Sequence, residues 1–323
     1  LLNRSVVNRA QKIAPWLTYD TPYPAIVDGR ITWIIDAYTT SNHFPYAQRL
    51  PNSSPFPNGT NYVRSSVQVT VDAETGRTTF YAVGADPIRD AWARIFPSVL
   101  SHDPVPAALA AHLRVPLKLF AAQAQVFTKY HVSDPTVFYN QEDAWRIPTD
   151  ASGKTINPQY VLLNPPTGSD TGMYLLQPYV LPNRDDLVGW LSASSEPASY
   201  GDKTVFALPK SRVTLGAAQV SARINQDPAI AQQLTLWNQP GSTVTFGSML
   251  VLPVQGSTVY LQPVFLKAQN SAISVDLPQP RKAMSSIRRE GCSRSSQRRM
   301  RRCTAGVPCP CWRFQIQTNS SRS

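Results

Sequence analysis

The stretch Tyr23-Pro24-Ala25-Ile26-Val27-Asp28-Gly29-Arg30-Ile31-Thr32-Trp33-Ile34-Ile35-Asp36 decides the fold. Two runs rich in apolar, β-branched and aromatic residues flank Asp28-Gly29, a pair that tolerates the positive φ angles of a two-residue turn. The spacing predicts an antiparallel hairpin with Trp33 on its buried face. Downstream, Tyr62–Asp72 and Arg77–Val83 flank Ala73-Glu74-Thr75-Gly76 and predict a second hairpin. There Val67, Val69 and Val71 alternate with Gln68 and Thr70, the period-two pattern of a strand with one buried face.

Helix signals take over at Asp86-Pro87, a capping residue followed by proline at the first helical position, and the apolar spacing of Ile88, Trp92 and Ile95 continues to Phe96-Pro97. Leu109–Leu113 and Pro116–Tyr130 read as two further helices. Strands are expected at Tyr160–Leu163 and Met173–Leu181, a helix at Arg184–Ser194, and a strand at Thr204–Leu208. Helices follow at Ala217–Asn225 and Pro228–Trp237. Gly241–Pro253 and Ser257–Leu266, joined around Gln255-Gly256, form a last hairpin. Pro166–Gly172 reads as a hairpin loop and Pro51–Gly59 as the clearest irregular loop. The order lacks regular strand-helix-strand alternation, so the fold class is α+β, antiparallel hairpins with an inserted helical block.

Composition sets the outer limits. Hydrophobic residues make up 42% of the 323 residues and charged residues 16%, which describes a folding, loop-rich chain and not a disordered one. The net charge of +11 is unevenly placed: from Arg281 to Ser323 there are 11 basic residues against Glu290 alone, which leaves +1 for residues 1–280. All four cysteines, Cys292, Cys303, Cys309 and Cys311, lie in the same tail, at spacings that fit no common zinc module. Arg, Ser, Cys, Pro and Gly supply 26 of those 43 residues, the composition of a GC-rich gene translated out of frame. The expected division is therefore an α+β region over 1–273, with a sub-boundary near 150–158, and a basic cysteine-containing tail over 274–323.

Leu1–Pro15 lacks the basic region, apolar core and small-residue cleavage site of a secretory signal, so the chain is expected to begin within a longer protein. Its longest apolar stretch, Pro106–Phe127, is interrupted by His112, Arg114, Pro116 and Lys118 and does not qualify as a membrane span.

A resemblance then enters. Ile13-Ala14-Pro15-Trp16-Leu17-Thr18-Tyr19-Asp20, Asp28-Gly29-Arg30 and Trp33–Ser41 resemble the C-terminal region of a large uncharacterised bacterial membrane-protein family. The likeness continues through Tyr62–Val67, Tyr130-His131-Val132, Phe138-Tyr139-Asn140, Arg223–Pro228 and Leu234–Asn238, and covers about residues 1–270. The resemblance implies several transmembrane helices N-terminal to a large domain outside the cytoplasm, with no assigned activity. It implies the cell membrane as partner, through a part not contained here.

Chemistry-bearing motifs are sparse. There is no Gly-x-Ser-x-Gly elbow, no Ser-x-x-Lys and no cysteine before the tail. His43, His102, His112 and His131 are not paired at metal-binding spacing, so no metal or cofactor is expected. His131 closes a helix just before Asp134-Pro135, a position that suits hydrogen bonding at a helix end. The densest polar and aromatic run is Asp36–Tyr46, read as leaving a strand and entering a loop. Asp36, Tyr38, Thr39, Thr40, His43 and Tyr46 are the candidate ligand-binding residues, for a sugar or a cation. The competing structural role is closure of the strand by side-chain to backbone hydrogen bonds.

The function expected is that of a non-catalytic binding or assembly domain contacting envelope polymers or other membrane proteins. Two rivals stand beside it. One is a glycan-directed enzyme using Asp20, Asp28 and Asp36, which requires two carboxylates converging in one pocket. The other is binding of nucleic acid or anionic lipid by the tail, and the preferred reading sets nucleic acid aside.

Overall fold

A computed structural model describes residues 4–164, 171–211, 213–254 and 257–268. The chain forms two compact units, one from residues up to Phe127 together with Ala193–Gly201, the other from Thr128–Ser192 and from Asp202 onward. Each mixes helices with antiparallel strands, and the fold class is α+β. The expected turn at Gln255-Gly256, the Pro166–Gly172 loop for the most part, and the basic tail lie outside the described residues.

In the first unit Ser5 accepts a hydrogen bond from the Asn8 N–H and starts α1 (Val6–Ile13). Strands β1 (Thr18–Tyr19), β2 (Tyr23–Val27), β3 (Arg30–Ser41), β4 (Tyr62–Asp72) and β5 (Thr78–Ala82) follow. After them come α2 (Pro87–Ile95), β6 (Leu100–Ser101), α3 (Ala107–Ala110) and α4 (Leu117–Tyr130), the inserted helical block. The sheet runs β1-β3-β4-β5-β6, with β2 also on β3. The Asp28-Gly29 turn is as expected: Asp28 has φ 49° and Gly29 φ 75°, and Val27 pairs with Arg30 across it. Trp33 is half-buried and packs at the margin of the core formed by Ala10, Leu17, Ile35, Ala37, Val67, Val69 and Phe80.

Two expectations for this sheet are corrected. First, β3 does not end near Asp36: it continues to Ser41 and pairs with β4 from Thr32↔Asp72 to Ser41↔Tyr62. Tyr38, Thr39 and Thr40 are aromatic or β-branched residues that suit a pleated surface once a long partner strand is present. Second, β4 is buried on both faces, since Gln68 and Thr70 are buried as well as Val67, Val69 and Val71. Period-two polarity here marks two differently filled interior faces, one against α1 and the other against α4 residues such as Leu119 and Ala122. Register shifts between Ala37 and Tyr38, leaving Ser66 as an extra residue on β4.

The second unit adds α5 (Pro135–Asn140), capped by Asp134, then β7 (Gln159–Leu163), β8 (Gly172–Val180), β9 (Leu187–Ser194) and β10 (Lys203–Ala207). Helices α6 (Ala217–Gln226) and α7 (Pro228–Trp237) precede β11 (Ser242–Phe246), β12 (Leu250–Val254), β13 (Ser257–Leu261) and β14 (Val264–Ala268). The sheet order is β10-β9-β8-β7, while the last four strands make nested pairs, β12 with β13 and β11 with β14. Residues 150–158 lie inside this unit, where Asp150 accepts hydrogen bonds from the Ser152 and Lys154 N–H groups.

The helix expected at Arg184–Ser194 is instead the interior strand β9. Its residues are buried on both faces apart from Val188, so its apolar content is nearly continuous and imitates a short buried helix in sequence. Trp190 on this strand donates its indole N–H to the Val251 carbonyl at 2.8 Å and packs with Leu176, Leu187 and Met249.

Gly189 on β9 generates a prediction. A Cβ there meets the Phe206 carbonyl oxygen at 2.2 Å, whereas one at Gly29 meets nothing within 4 Å. Gly189→Ala is expected to cost about 2 kcal/mol or more through overpacking against backbone. Gly29→Ala is expected to cost only about 1–2 kcal/mol, from the left-handed conformation alone. Urea midpoints of the two variants check the order.

Candidate functional site

The two faces of β3 carry two separate buried polar clusters. Strand alternation sends Asp36 and Tyr38 to one side and Thr39 to the other.

On the α4 side, Asp20 and Asp36 are 4% and 3% exposed, and Tyr38 is fully buried. Asp20 follows β1, and its backbone N–H donates to the Asp36 carbonyl at 2.8 Å. Its carboxylate accepts from the Tyr38 hydroxyl, from the Thr21 N–H at 2.7 Å and from the Lys118 N–H at 2.9 Å. Asp20 thus acts as a cap supplied from the sheet for the first turn of α4, where N–H groups lack intrahelical acceptors. Lys118 Nζ donates to the Tyr19 carbonyl at 2.6 Å, and the Arg114 guanidinium lies 4.6 Å from the Tyr23 ring centroid. The Arg114 N–H also donates to the Tyr23 hydroxyl oxygen at 3.1 Å.

Asp36 stands opposite Gln68 on β4. Burial, reinforced by the nearby Asp20 charge, pushes its carboxyl up to about 8, against a smaller opposing pull from Gln68. The Gln68 amide favours the carboxylate electrostatically without closing a hydrogen bond of normal length, and its Nε2 is buried with no partner among the described residues. Burial, and then the Asp20 and Asp36 charges, raise the Tyr38 hydroxyl well above its ordinary value. Burial thus keeps the Asp36 carboxyl and the Tyr38 hydroxyl protonated near neutrality beside the start of α4.

On the opposite side Asp86 caps α2. It accepts from the Thr39 hydroxyl, from the Tyr62 hydroxyl at 2.7 Å, and from the Ile88 and Arg89 N–H groups. Burial raises Asp86, but these donors outweigh burial and hold its carboxyl below the usual range. Arg89, 6% exposed, donates to the carbonyls of Ser66, Val83 and Gly84, so it satisfies the backbone around the Ser66 bulge.

The structure accordingly separates the six residues singled out in the sequence. Asp36 and Tyr38 share the α4-side cluster, Thr39 belongs to the Asp86 cluster, and Thr40 is half-buried at the end of β3. His43 and Tyr46 are exposed beyond the strand, and Phe44 between them stacks on Tyr62 at 5.0 Å. The side-chain to backbone bonds proposed to close the strand come instead from Asn61, which exchanges hydrogen bonds with the Phe44 N–H and carbonyl. Asp28 sits exposed in the hairpin turn, apart from Asp20 and Asp36. His131 is buried, hydrogen-bonds the Asp143 carbonyl through Nε2 at 2.7 Å and stacks on Trp145 at 4.0 Å. Among the described residues no group of three or more His, Cys, Asp or Glu is placed to hold a metal ion. Sequence reading missed Gln68, Arg89 and Lys118, which carry no local motif.

A family model described as an uncharacterised protein family, UPF0182, matches residues 1–237. The chain belongs to the UPF0182 family. A UPF0182 protein of Methanospirillum hungatei is 41% identical over 273 residues, covering 83% of this chain and 30% of the relative. Those of Moorella thermoacetica and a Nostoc species are each 40% identical over 84% of this chain, and 30% and 28% of the respective relatives are covered. The chain thus spans about 30% of the length of the UPF0182 relatives it matches. No solved structure matches it.

A pH dependence follows from Asp36. Its value of about 8 in the folded chain exceeds that of an unfolded Asp, about 3.9. As pH rises from about 4 to 8 the unfolded chain releases this proton first, so the contribution of Asp36 to stability is full below the window and is lost across it. Asp36→Asn should flatten the stability profile between pH 4 and 8 and raise the urea midpoint at pH 8 relative to the parent. Identical slopes in parent and variant would show that Asp36 is ionised throughout.

Proposed function

We propose that this UPF0182 chain is an extracytoplasmic region of an integral membrane protein and works without catalysis, as a binding or assembly domain for envelope polymers or neighbouring membrane proteins. The observation that carries the non-catalytic part is the enclosure of Asp20 and Asp36. A carboxylate pair that cleaves a glycosidic bond must present an acid and a base or nucleophile to one substrate atom each. Asp20 is instead taken up by Tyr38, Thr21 and the start of α4, and Asp36 lies beside it, 3% exposed. These groups fasten a helix to a sheet.

The membrane context rests on the motif runs quoted above and on relatives more than three times as long as the matching region. No helix among the described residues is long and apolar enough to cross a membrane. In this reading the anchor is therefore supplied by the remainder of the family's chain.

The test uses the full-length Moorella thermoacetica relative carrying a protease site and a tag within the region that matches this chain. In a bacterial host it should sediment with membranes, and the tag should be released when protease is added to intact spheroplasts. Recovery in the soluble fraction, or release only after lysis, would overturn the proposal.

A further inference from the structure

Beyond the end of β3 the chain presents aromatic rings to solvent on a loop that is tied down. Asn61 donates to the carbonyls of Phe44 and Ala47 at 2.8 and 3.3 Å and accepts from the Phe44 N–H at 3.0 Å. The Leu50 N–H donates to the Thr60 carbonyl and the His43 N–H to the Ser41 hydroxyl, so both ends of the loop are fastened. Phe44 lays one ring face on Tyr62, at an interplanar angle of 20°, and is 44% exposed. Tyr46 sits in a turn directly after Pro45 and is fully exposed.

Two features set this loop apart from a surface that merely carries a stray aromatic residue. Tyr46 has φ 56°, the left-handed region in which glycine or asparagine is the usual residue. The chain accepts that strain, and the exposed ring returns no packing for it. The second feature is charge. From Ala37 to Val71 the sequence contains His43, Arg49 and Arg64 and no Asp or Glu, and all three of these side chains are exposed. The Arg64 guanidinium lies beside the hydroxyl of Tyr62, the ring on which Phe44 stacks. Burial and the bond to Asp86 push that hydroxyl up to about 12, while Arg64 pulls it the other way. The Asp86 carboxylate itself is already engaged by Thr39, Tyr62 and the start of α2.

Aromatic faces and cations together match one chemistry. A pyranose ring offers a face of C–H bonds to an aromatic side chain, and an acid group on the sugar offers Arg an acceptor for paired hydrogen bonds. Rings held in place before the ligand arrives lower the ordering cost of binding. We propose that the Phe44–Tyr46 loop is a binding site for an acidic polysaccharide, with sugar rings on Phe44 and Tyr46 and the acid group at Arg64. A lipid surface fits less well, because an interfacial anchor brings large aliphatic side chains to its tip, and residues 42–49 contain no Leu, Ile, Val or Met. The proposal rests on the envelope-polymer reading above and names the class of polymer. Location is measured by protease release from cells and saccharide binding on the isolated chain, so either can fail alone.

The experiment is titration calorimetry of the whole chain with trigalacturonate, with maltotriose phosphate and with neutral maltotriose, at about 0.15 M salt to screen distant charges. At least one acidic sugar should bind about tenfold more tightly than maltotriose, and which one does so separates carboxylate from phosphate recognition. Tyr46→Gly should weaken that binding about tenfold, while its melting temperature equals or exceeds the parent's because glycine relieves the left-handed strain. Tyr46→Phe should bind like the parent. Arg64→Gln should reduce the acidic sugars to the affinity of maltotriose. The basic residues of 281–323 are common to every variant, so their contribution cancels in these comparisons. Binding of neither acidic sugar, equal binding of acidic and neutral sugars, or equal binding by the parent and Tyr46→Gly would overturn the proposal. Tyr46-dependent binding to phosphatidylcholine–phosphatidylglycerol vesicles in place of the sugars would overturn it in favour of a lipid surface.

Discussion

The β3–β4 ladder is covered on both faces, and that constraint organises the first unit. Strands enclosed on two sides leave no solvent for their polar side chains, so each polar group on them needs a partner within the protein or carries a desolvation cost. Asp36, Gln68, Thr39 and Ser66 all sit on this ladder at 3% exposure or less. The helices are placed where they meet that need. The start of α4 comes to Asp20 beside Asp36, and the start of α2 comes to Thr39 through Asp86.

The two clusters solve the same problem in opposite ways, and the magnitudes explain why. Asp86 has several good donors converging on it, enough to hold a charge in the interior. Asp36 has burial, a neighbouring carboxylate and only the imperfect approach of Gln68, and so it keeps its proton. Two carboxylates in one low-dielectric site avoid full mutual repulsion when one of them is neutral. Asp20 meets the Lys118 N–H at the positive end of α4.

How far this was legible in the sequence depended on whether the deciding interaction was local. Asp28-Gly29 and Asp86-Pro87 act within a turn of chain, and the structure has the turn and the cap where the spacing placed them. Burial on the second face of a strand is not local. Alternation at Val67–Val71 is identical whether Gln68 and Thr70 meet water or the protein interior, and the run Leu187–Ser194 acquires its strand conformation from neighbours on either side. The same limit governed the candidate site: Asp36 to Tyr46 is one polar run in sequence, but a pleat divides it between two faces, and its partners Gln68, Asp86 and Lys118 come from distant segments.

The burial of Arg89 on α2 is a consequence of that same ladder. The extra residue Ser66 turns a carbonyl out of the regular β4 pairing, and Val83 and Arg89 both donate to it. An arginine is long enough to bridge Ser66, Val83 and Gly84 at once, and its five donors match a cluster of carbonyls better than any apolar side chain would. Trp92, three residues after Arg89, shares its side of the helix and is half-buried, stacking on Trp16. The constraint that buries polar groups in β3 and β4 thereby also fixes the face that α2 turns toward the sheet.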